Sequence, residues 1–261
     1  MAKFLLSLLL TLSLVSAEDA WYSRVDVQAE VGIYLPTLSG NIENIAGVSH
    51  FSEDIGYTKT KSSYFSLTLR HDYNYLPNVS LSYFNMKESK STKLTKAIKI
   101  ANQDFNSSIK SDTNYQVFNA TIYQDLFIEG ELFTLFGTKY YSGDLEFNIG
   151  LSLKLFDWHY TIQNLEDLTQ APSWINTKAL IPLPYLGVKY FLYDLTIYAE
   201  AEDLAFFDAK ANTYQAGIDY RITSGLDLGV AYIAEEFRVI EEFDTVNFKT
   251  SGYKFSFKYS F

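Results

Sequence analysis

The chain lacks cysteine altogether and has only three histidines in 261 residues. Without cysteine it has neither a disulfide framework nor thiolate chemistry, and three scattered histidines provide no ligand spacing for a zinc site. A glycine-rich phosphate loop is also missing. After Ala17 nothing approaches the ~20 consecutive apolar residues of a membrane-spanning helix, so a membrane location requires the chain to cross as β-strands.

Positive charge is in short supply as well. The chain has 21 basic and 31 acidic residues, which gives a formal net charge of −10. This balance argues against nucleic acid, or an anionic membrane surface, as the partner of the protein. Aromatic residues, in contrast, are abundant at 17% of the chain.

The first 17 residues have the pattern of a secretory signal peptide. Lys3 supplies a positive start, an uncharged and mostly leucine stretch follows to Val15, and Val15-Ser16-Ala17 offers small residues for cleavage. We therefore expect residues 1–17 to be removed and residues 18–261 to form one exported domain.

The last nine residues alternate aromatic and polar side chains. In a strand, such alternation places all the rings on one face, and this pattern suits a strand with lipid on one side and a barrel lumen on the other. A terminal aromatic strand that ends on Phe also resembles the signal by which bacterial outer-membrane barrels are recognised for assembly. The five rings are Tyr253, Phe255, Phe257, Tyr259 and Phe261.

Period-two alternation of apolar and polar residues predicts about ten strands, with eight to twelve allowed. The predicted fold is therefore all-β, a transmembrane antiparallel up-and-down β-barrel. The predicted strands are Arg24 to Leu35, Ser62 to His71, Asn78 to Met86, Tyr115 to Leu126, Asp144 to Asp157, Tyr185 to Leu192, Leu195 to Phe206, Ala211 to Arg221, Leu226 to Phe237 and Phe248 to Phe261.

The connections between these strands alternate in length. Short turns on the periplasmic side and long loops outside are the outer-membrane arrangement, which places both termini in the periplasm. Pro182 and Pro184 are interpreted as a rigid loop that re-enters a strand. The predicted long polar loops are Pro36 to Lys61, Lys87 to Asn114 and Trp158 to Pro184.

Two segments fit this scheme poorly. Phe127 to Gly143 is long for a periplasmic turn and contains an apolar stretch, so a further strand pair or a plug is an alternative there. Thr95 to Ile109 is expected to extend its flanking strands into a tall hairpin that turns near Asn102 to Asn106.

Four segments of the chain are similar to those of a family of small Gram-negative outer-membrane β-barrel proteins of about this length, mostly without an assigned activity. The segments are Tyr34 to Gly40, His71 to Asn78, Ile181 to Tyr185 and Phe257 to Phe261. They are turn and strand-end signatures. The resemblance therefore implies a fold and a location, and it implies no reaction.

Thirteen charged residues fall on strand faces opposite the apolar ones. Charges inside a small barrel must pair, so we expect a lumen network, with Lys258 near Asp26 and Lys254 near Glu30 where the last strand closes on the first. A structural network and a conductive or ligand-binding path are the two interpretations. The thirteen are Asp26, Glu30, Arg70, Glu146, Lys154, Lys189, Glu200, Glu202, Asp219, Arg221, Asp227, Lys254 and Lys258.

Catalytic and metal sites have weak support in the sequence. His71 with Asp72 lies at the predicted periplasmic end, and Asp157 with His159 lies at the outer rim without a neighbouring serine. The acidic runs Glu200 to Asp203 and Glu235-Glu236 lack calcium-loop spacing and are interpreted as solvated charge.

The sequence thus predicts a narrow or filled barrel with a structural or surface-interaction role and without catalytic activity or a cofactor. A small-solute porin is the alternative. An outer-membrane hydrolase and a soluble lipocalin-like binder with its apolar face turned inward are less favoured. The expected partners are outer-membrane lipids, the barrel assembly machinery and an extracellular ligand at the long loops.

Overall fold

Ten long antiparallel strands form a closed barrel in the computed structural model of the protein. The structure describes residues 25–44, 47–71, 76–100, 103–135, 138–206, 209–240 and 245–261. The predicted signal peptide, residues 1–17, lies outside the described residues. Within the described ranges, no helix has the length and apolar character needed to span a membrane.

The strands are numbered in chain order. They are β1 Val25–Asn44, β2 Gly47–His50, β3 Ser62–His71, β4 Asn78–Lys93, β5 Ile98–Ile100, β6 Gln103–Phe105, β7 Ser108–Ile128, β8 Leu132–Leu135, β9 Thr138–Tyr141, β10 Asp144–Asn164, β11 Ser173–Leu192, β12 Leu195–Phe206, β13 Ala209–Thr223, β14 Leu226–Ile240 and β15 Thr245–Ser260.

The barrel follows the order of the chain. Its wall runs β1-β3-β4-β7-β10-β11-β12-β13-β14-β15, and β15 pairs with β1 to close it. Every neighbouring pair is antiparallel. The predicted up-and-down topology and the predicted number of ten barrel strands are therefore confirmed.

The apolar face of the wall points outward. On β10 the alternation is complete, because outward side chains are 39–56% exposed and inward side chains are at most 3% exposed. A lipocalin-like barrel would bury the first set instead, so the soluble alternative is wrong. The outward set is Phe147, Ile149, Leu151 and Leu153, and the inward set is Glu146, Asn148, Ser152 and Lys154.

The five rings of the terminal strand belong to the same outward surface. Each ring of the predicted assembly signal, from Tyr253 to Phe261, is 46–57% exposed. We call the outward apolar residues of the ten strands the apolar belt. A ring of exposed aliphatic and aromatic side chains around a closed barrel is the surface of a membrane-spanning barrel.

At the end of the barrel away from the termini, the strands are longer than predicted. β10 continues to Asn164 and β11 begins at Ser173, so only residues 165–172 connect them. The predicted long loop from Trp158 to Pro184 is therefore wrong, and the predicted loop from Lys87 to Asn114 shrinks to residues 94–107 in the same way. The strands continue as a wall above the apolar belt.

The two prolines lie inside β11, which corrects the interpretation of a rigid loop. Pro182 and Pro184 pair with β10 on one side, whereas the pairing of β11 with β12 stops at Tyr185–Glu202. Proline has no backbone N–H, so it is tolerated where a strand has a free edge, and it prevents that edge from pairing further. Above Tyr185 the prolines thus occupy an edge of the wall.

The two segments that fitted the scheme poorly each contain a small hairpin. Strands β8 and β9 pair within the segment from Phe127 to Gly143, as one of its two alternatives proposed, and they remain outside the barrel sheet. Strands β5 and β6 pair between β4 and β7, with Ile100 opposite Gln103. A hairpin is thus present there, but the predicted turn range Asn102 to Asn106 contains β6, and residues 101–102 lie outside the described residues.

Candidate functional site

The inside of the barrel has a polar half and an apolar half. The polar half encloses a cavity of about 250 Å³. Eleven of the thirteen predicted lumen residues line it, and the other two, Glu146 and Lys254, are buried beside it and form ion pairs with residues of the lining. The eleven are Asp26, Glu30, Arg70, Lys154, Lys189, Glu200, Glu202, Asp219, Arg221, Asp227 and Lys258.

A first group of charges lies near the end of the barrel that carries the termini. Arg70 Nη2 is 3.0 Å from Asp125 Oδ2 and also contacts Glu146. Lys189 Nζ is 2.8 Å from Glu146 Oε1, and the Asn148 amide donates hydrogen bonds to both carboxylates. Sequence reasoning missed Asp125, although it continues the inward face of β7 two residues beyond Tyr123.

The second group joins the last strand to the first. Lys254 Nζ is 2.8 Å from Glu30 Oε1, which is the expected pair. The expected pair of Lys258 with Asp26 is wrong, because the register places Lys258 opposite Glu30, and Asp26 lies before the first residue of β1 that pairs with β15. Lys258 instead donates a hydrogen bond to Asp219 on β13.

The third group of charges is centred on Lys154. Lys154, with a side chain only 3% exposed, forms ion pairs with Glu202 at 2.5 Å and Glu235 at 3.5 Å. Ser152 donates a further hydrogen bond to Glu202. The acidic pair Glu235-Glu236 was predicted to be solvated, but Glu235 is 7% exposed inside the barrel and only Glu236 faces outward.

Above these charges the barrel interior becomes apolar. The chain after β2 turns into the mouth of the barrel, and Phe51, Ile55 and Tyr57 are at most 1% exposed. We call residues 51–57 the plug. The Phe51 ring centroid lies 5.8 Å from that of Trp158 and 6.2 Å from that of Phe248. The prediction of a long polar loop from residue 36 to residue 61 is therefore wrong.

Backbone hydrogen bonds hold the plug in position. The Phe51 N–H donates to the Gly40 carbonyl at 3.1 Å, and the Tyr57 N–H donates to the Phe51 carbonyl at 3.0 Å. The His50 N–H donates to the Asp54 carboxylate at 2.7 Å. Among the described residues, aromatic rings and the plug backbone therefore fill this half of the barrel.

The candidate catalytic residues lie outside this cavity. His159 Nε2 is 3.7 Å from Asp157 Oδ1, which is longer than a hydrogen bond, and both side chains are on the outer face. Lys178 Nζ is 3.4 Å from the other oxygen of Asp157. His71 Nε2 is 3.2 Å from the Pro77 carbonyl oxygen, and its predicted partner Asp72 is outside the described residues.

Metal chemistry finds no support in the described part of the chain. No group of three His, Asp or Glu side chains there could hold a metal ion. The run from Glu200 to Asp203 is divided between two faces, since Glu200 and Glu202 line the cavity and Asp203 is exposed.

One outer carboxylate is neutralised by two lysines. Glu236 accepts a hydrogen bond from Lys210 at 2.9 Å and is 3.1 Å from Lys249 Nζ. Burial alone would raise the pKa of Glu236, but the hydrogen bonds from Lys210 and Lys249 outweigh it and hold that pKa below its ordinary value. Of these three charges two are positive and one is negative, so Glu236 offsets one of the two lysines.

No protein-family model and no curated protein matches the chain. Among solved structures, it is similar to Neisserial surface protein A, with 15% identity, 91% of this chain and 97% of that chain covered, and a TM-score of 0.35. The translocator domain of the autotransporter NalP from Neisseria meningitidis has 12% identity, coverages of 95% and 91%, and a TM-score of 0.44. The outer membrane protease OmpT from Escherichia coli has 9% identity, coverages of 94% and 99%, and a TM-score of 0.47.

At these scores none of the three says which strand register or activity this chain has. The conclusion rests on the chain's own geometry. It is a ten-stranded membrane β-barrel with a charged cavity in one half of its interior and an aromatic filling in the other.

Proposed function

We propose that the protein is a filled outer-membrane barrel with a structural or surface-interaction role. One observation carries this proposal: the rings of Phe51, Tyr57, Trp158, Tyr160 and Phe248 are all at most 1% exposed and occupy the mouth of the barrel. A solute that entered the polar cavity would have to displace these rings to leave at the other end.

The proposed orientation places both termini in the periplasm. Three connections at that end are short, namely residues 72–77, 193–194 and 224–225. At the opposite end, β7 and β10 have 21 residues each, about twice the 9–11 that cross a bilayer. We therefore place the raised strands at the cell surface. An extracellular ligand would bind these strands, and not the long loops expected from the sequence.

The remaining partners follow from the outer surface. The apolar belt contacts outer-membrane lipids. The rings from Tyr253 to Phe261 lie outward on the closing strand, where the assembly machinery can bind them.

The outer pair Asp157 and His159 is a surface charge cluster, since it lacks the hydrogen bond that a general base needs from its orienting acid. We assign the protein no enzymatic activity.

Planar-bilayer conductance tests the proposal. We expect the refolded wild-type protein to insert without conducting, whereas a variant with residues 47–57 replaced by a short glycine-serine linker conducts, because Phe51, Ile55 and Tyr57 no longer fill its mouth. The variant also shows that the bilayer detects insertion. Steady wild-type conductance, with an ion selectivity that Lys154→Glu changes, would contradict the filled barrel and establish a small-solute pore.

A further inference from the structure

Lysine is concentrated in one part of this acidic chain. Residues 87–110 contain six lysines and two acidic residues, although the whole chain has a formal net charge of −10. This segment forms the raised half of the β4–β7 hairpin. The six are Lys87, Lys90, Lys93, Lys96, Lys99 and Lys110.

Three of these lysines share the outer surface with two others, which precede the neighbouring strand β3. On β4, Lys87 and Lys93 continue the outward face of Tyr83, and on β7, Lys110 continues that of Phe118. All five lysines are exposed. We call this set the lysine wall, and its members are Lys59, Lys61, Lys87, Lys93 and Lys110.

The charges of the lysine wall are mostly not neutralised by the protein. Lys110 is 3.3 Å from Asp112, but across the described ranges no carboxylate lies within 4 Å of the other four ammonium groups. On the opposite side of the rim, Lys210 and Lys249 both pair with Glu236. In the described ranges, the lysine wall is therefore a set of cations that the protein leaves mostly without a carboxylate partner.

The position of the lysine wall relative to the apolar belt indicates what it meets. Lys61 is four residues from Phe65, and Lys87 is four residues from Tyr83. Four residues advance ~13 Å along a strand, or about 10 Å in height at a tilt of about 40°. The headgroup layer extends about 5–8 Å beyond the hydrocarbon core, and the lysine side chain is long and flexible. These two ammonium groups therefore reach lipid headgroups whose acyl chains pack on the belt below.

We propose that the lysine wall binds the phosphate-bearing headgroups of anionic lipids in the leaflet at the long-strand end of the barrel. Lysine is a compact point charge that attracts phosphate, and anionic lipids gain about 1 kcal/mol, or about fivefold in affinity, per neighbouring lysine. The net charge of −10, which argued against an anionic surface, does not apply to this side. The inference rests on the proposed membrane placement and is independent of whether the lumen conducts.

Lipid binding to the full chain in neutral detergent tests this inference. Native mass spectrometry would count the molecules of phosphatidylglycerol, lipid A or neutral phosphatidylcholine bound in titrations. We expect both phosphate-bearing anionic lipids to bind at least about tenfold more tightly than phosphatidylcholine. Replacing Lys59, Lys61, Lys87 and Lys93 with glutamine is expected to reduce their affinity by at least about twentyfold, because Lys61 and Lys87 reach the headgroups and each contributes about fivefold, whereas replacing the same four with arginine retains it.

Lys178→Gln is the matched control. Lys178 is 63% exposed at the same rim, but it is already paired with Asp157, so its loss is expected to leave lipid preference unchanged. The inference is overturned if the glutamine variant keeps the preference, or if inorganic phosphate or a soluble polyphosphate binds while the lipids show no preference. A conducting wild-type protein that keeps its lipid preference would contradict only the filled barrel.

Discussion

The ion pair between Glu30 and Lys254 provides a sharp test of the polar lumen. Lys254→Met removes an ammonium group that is 1% exposed and leaves a carboxylate that is 8% exposed without its ion-pair partner. The Ser66 hydroxyl remains 3.0 Å from Glu30, and Lys258 remains opposite it in the register of the two strands. The lost ammonium also lies 4.2 Å from the centroid of the Tyr64 ring, so its removal forfeits a second contact.

The expected loss follows from this burial. Breaking a buried ion pair on one side costs about 3–5 kcal/mol, whereas replacing both partners with uncharged residues is often close to neutral. We therefore expect Lys254→Met to lower the free energy of unfolding by about 3–5 kcal/mol, and Glu30→Gln combined with Lys254→Met by about 1 kcal/mol. Glu30→Gln alone completes the cycle, and the coupling energy of the pair is the cost of the double variant minus the sum of the two single costs.

The assay is urea unfolding of the barrel refolded into lipid vesicles, followed by tryptophan fluorescence. Lys178→Met is the control, because Lys178 is 63% exposed beside Asp157 and an exposed pair contributes about 0–1 kcal/mol. If Lys254→Met costs no more than this control, or if the double variant is as unstable as the single one, Glu30 does not depend on Lys254 and the buried network is refuted.

Two further predictions follow from the outer and inner faces. Phe156 is 1% exposed inside the barrel and Phe147 is 39% exposed outside. In the same unfolding assay, Phe156→Ala is expected to lower the free energy of unfolding by about 3–5 kcal/mol, and Phe147→Ala by less than about 2 kcal/mol, because lipid replaces the contacts of Phe147. Equal losses would contradict the assignment of faces. Glu236 has a lowered pKa through Lys210 and Lys249, so its contribution is present above the unfolded pKa of about 4.3 and is lost as the pH falls through the lower folded pKa. Wild type should therefore exceed Glu236→Gln in stability near neutral pH and match it below the folded pKa, and a gap that grows as the pH falls would contradict this sign.

The sequence was sufficient to predict the membrane-crossing part of the fold. From Asp144 to Leu155, apolar and polar residues alternate because one face meets lipid and the other meets the charged cavity. From Phe156 onward the inward residues are apolar instead of polar, as Trp158 and Tyr160 show. A rule that places apolar residues outward ends the strand there, which is why the raised wall and the plug were mistaken for polar loops.

The charge network was predictable in its members and less so in its pairs. Period two places Glu30 and Lys258 on inward faces, but which residues meet depends on the register of β1 with β15 and on the stagger of the whole barrel. That stagger brings Lys258 to Asp219 across β14. Glu235 was misassigned because its neighbour Glu236 suggested a solvated pair, although adjacent strand residues point to opposite faces.

The most direct test of the filled barrel is the water accessibility of Trp158. In a variant with Trp21 and Trp174 changed to phenylalanine, Trp158 is the sole tryptophan, and its 1% exposure predicts blue-shifted emission that aqueous iodide and acrylamide barely quench. A second variant that keeps only Trp174, which is 68% exposed, provides the quenched reference. Quenching of Trp158 that matches Trp174 in the folded barrel would mean that water fills the mouth, and the closed lumen would be contradicted.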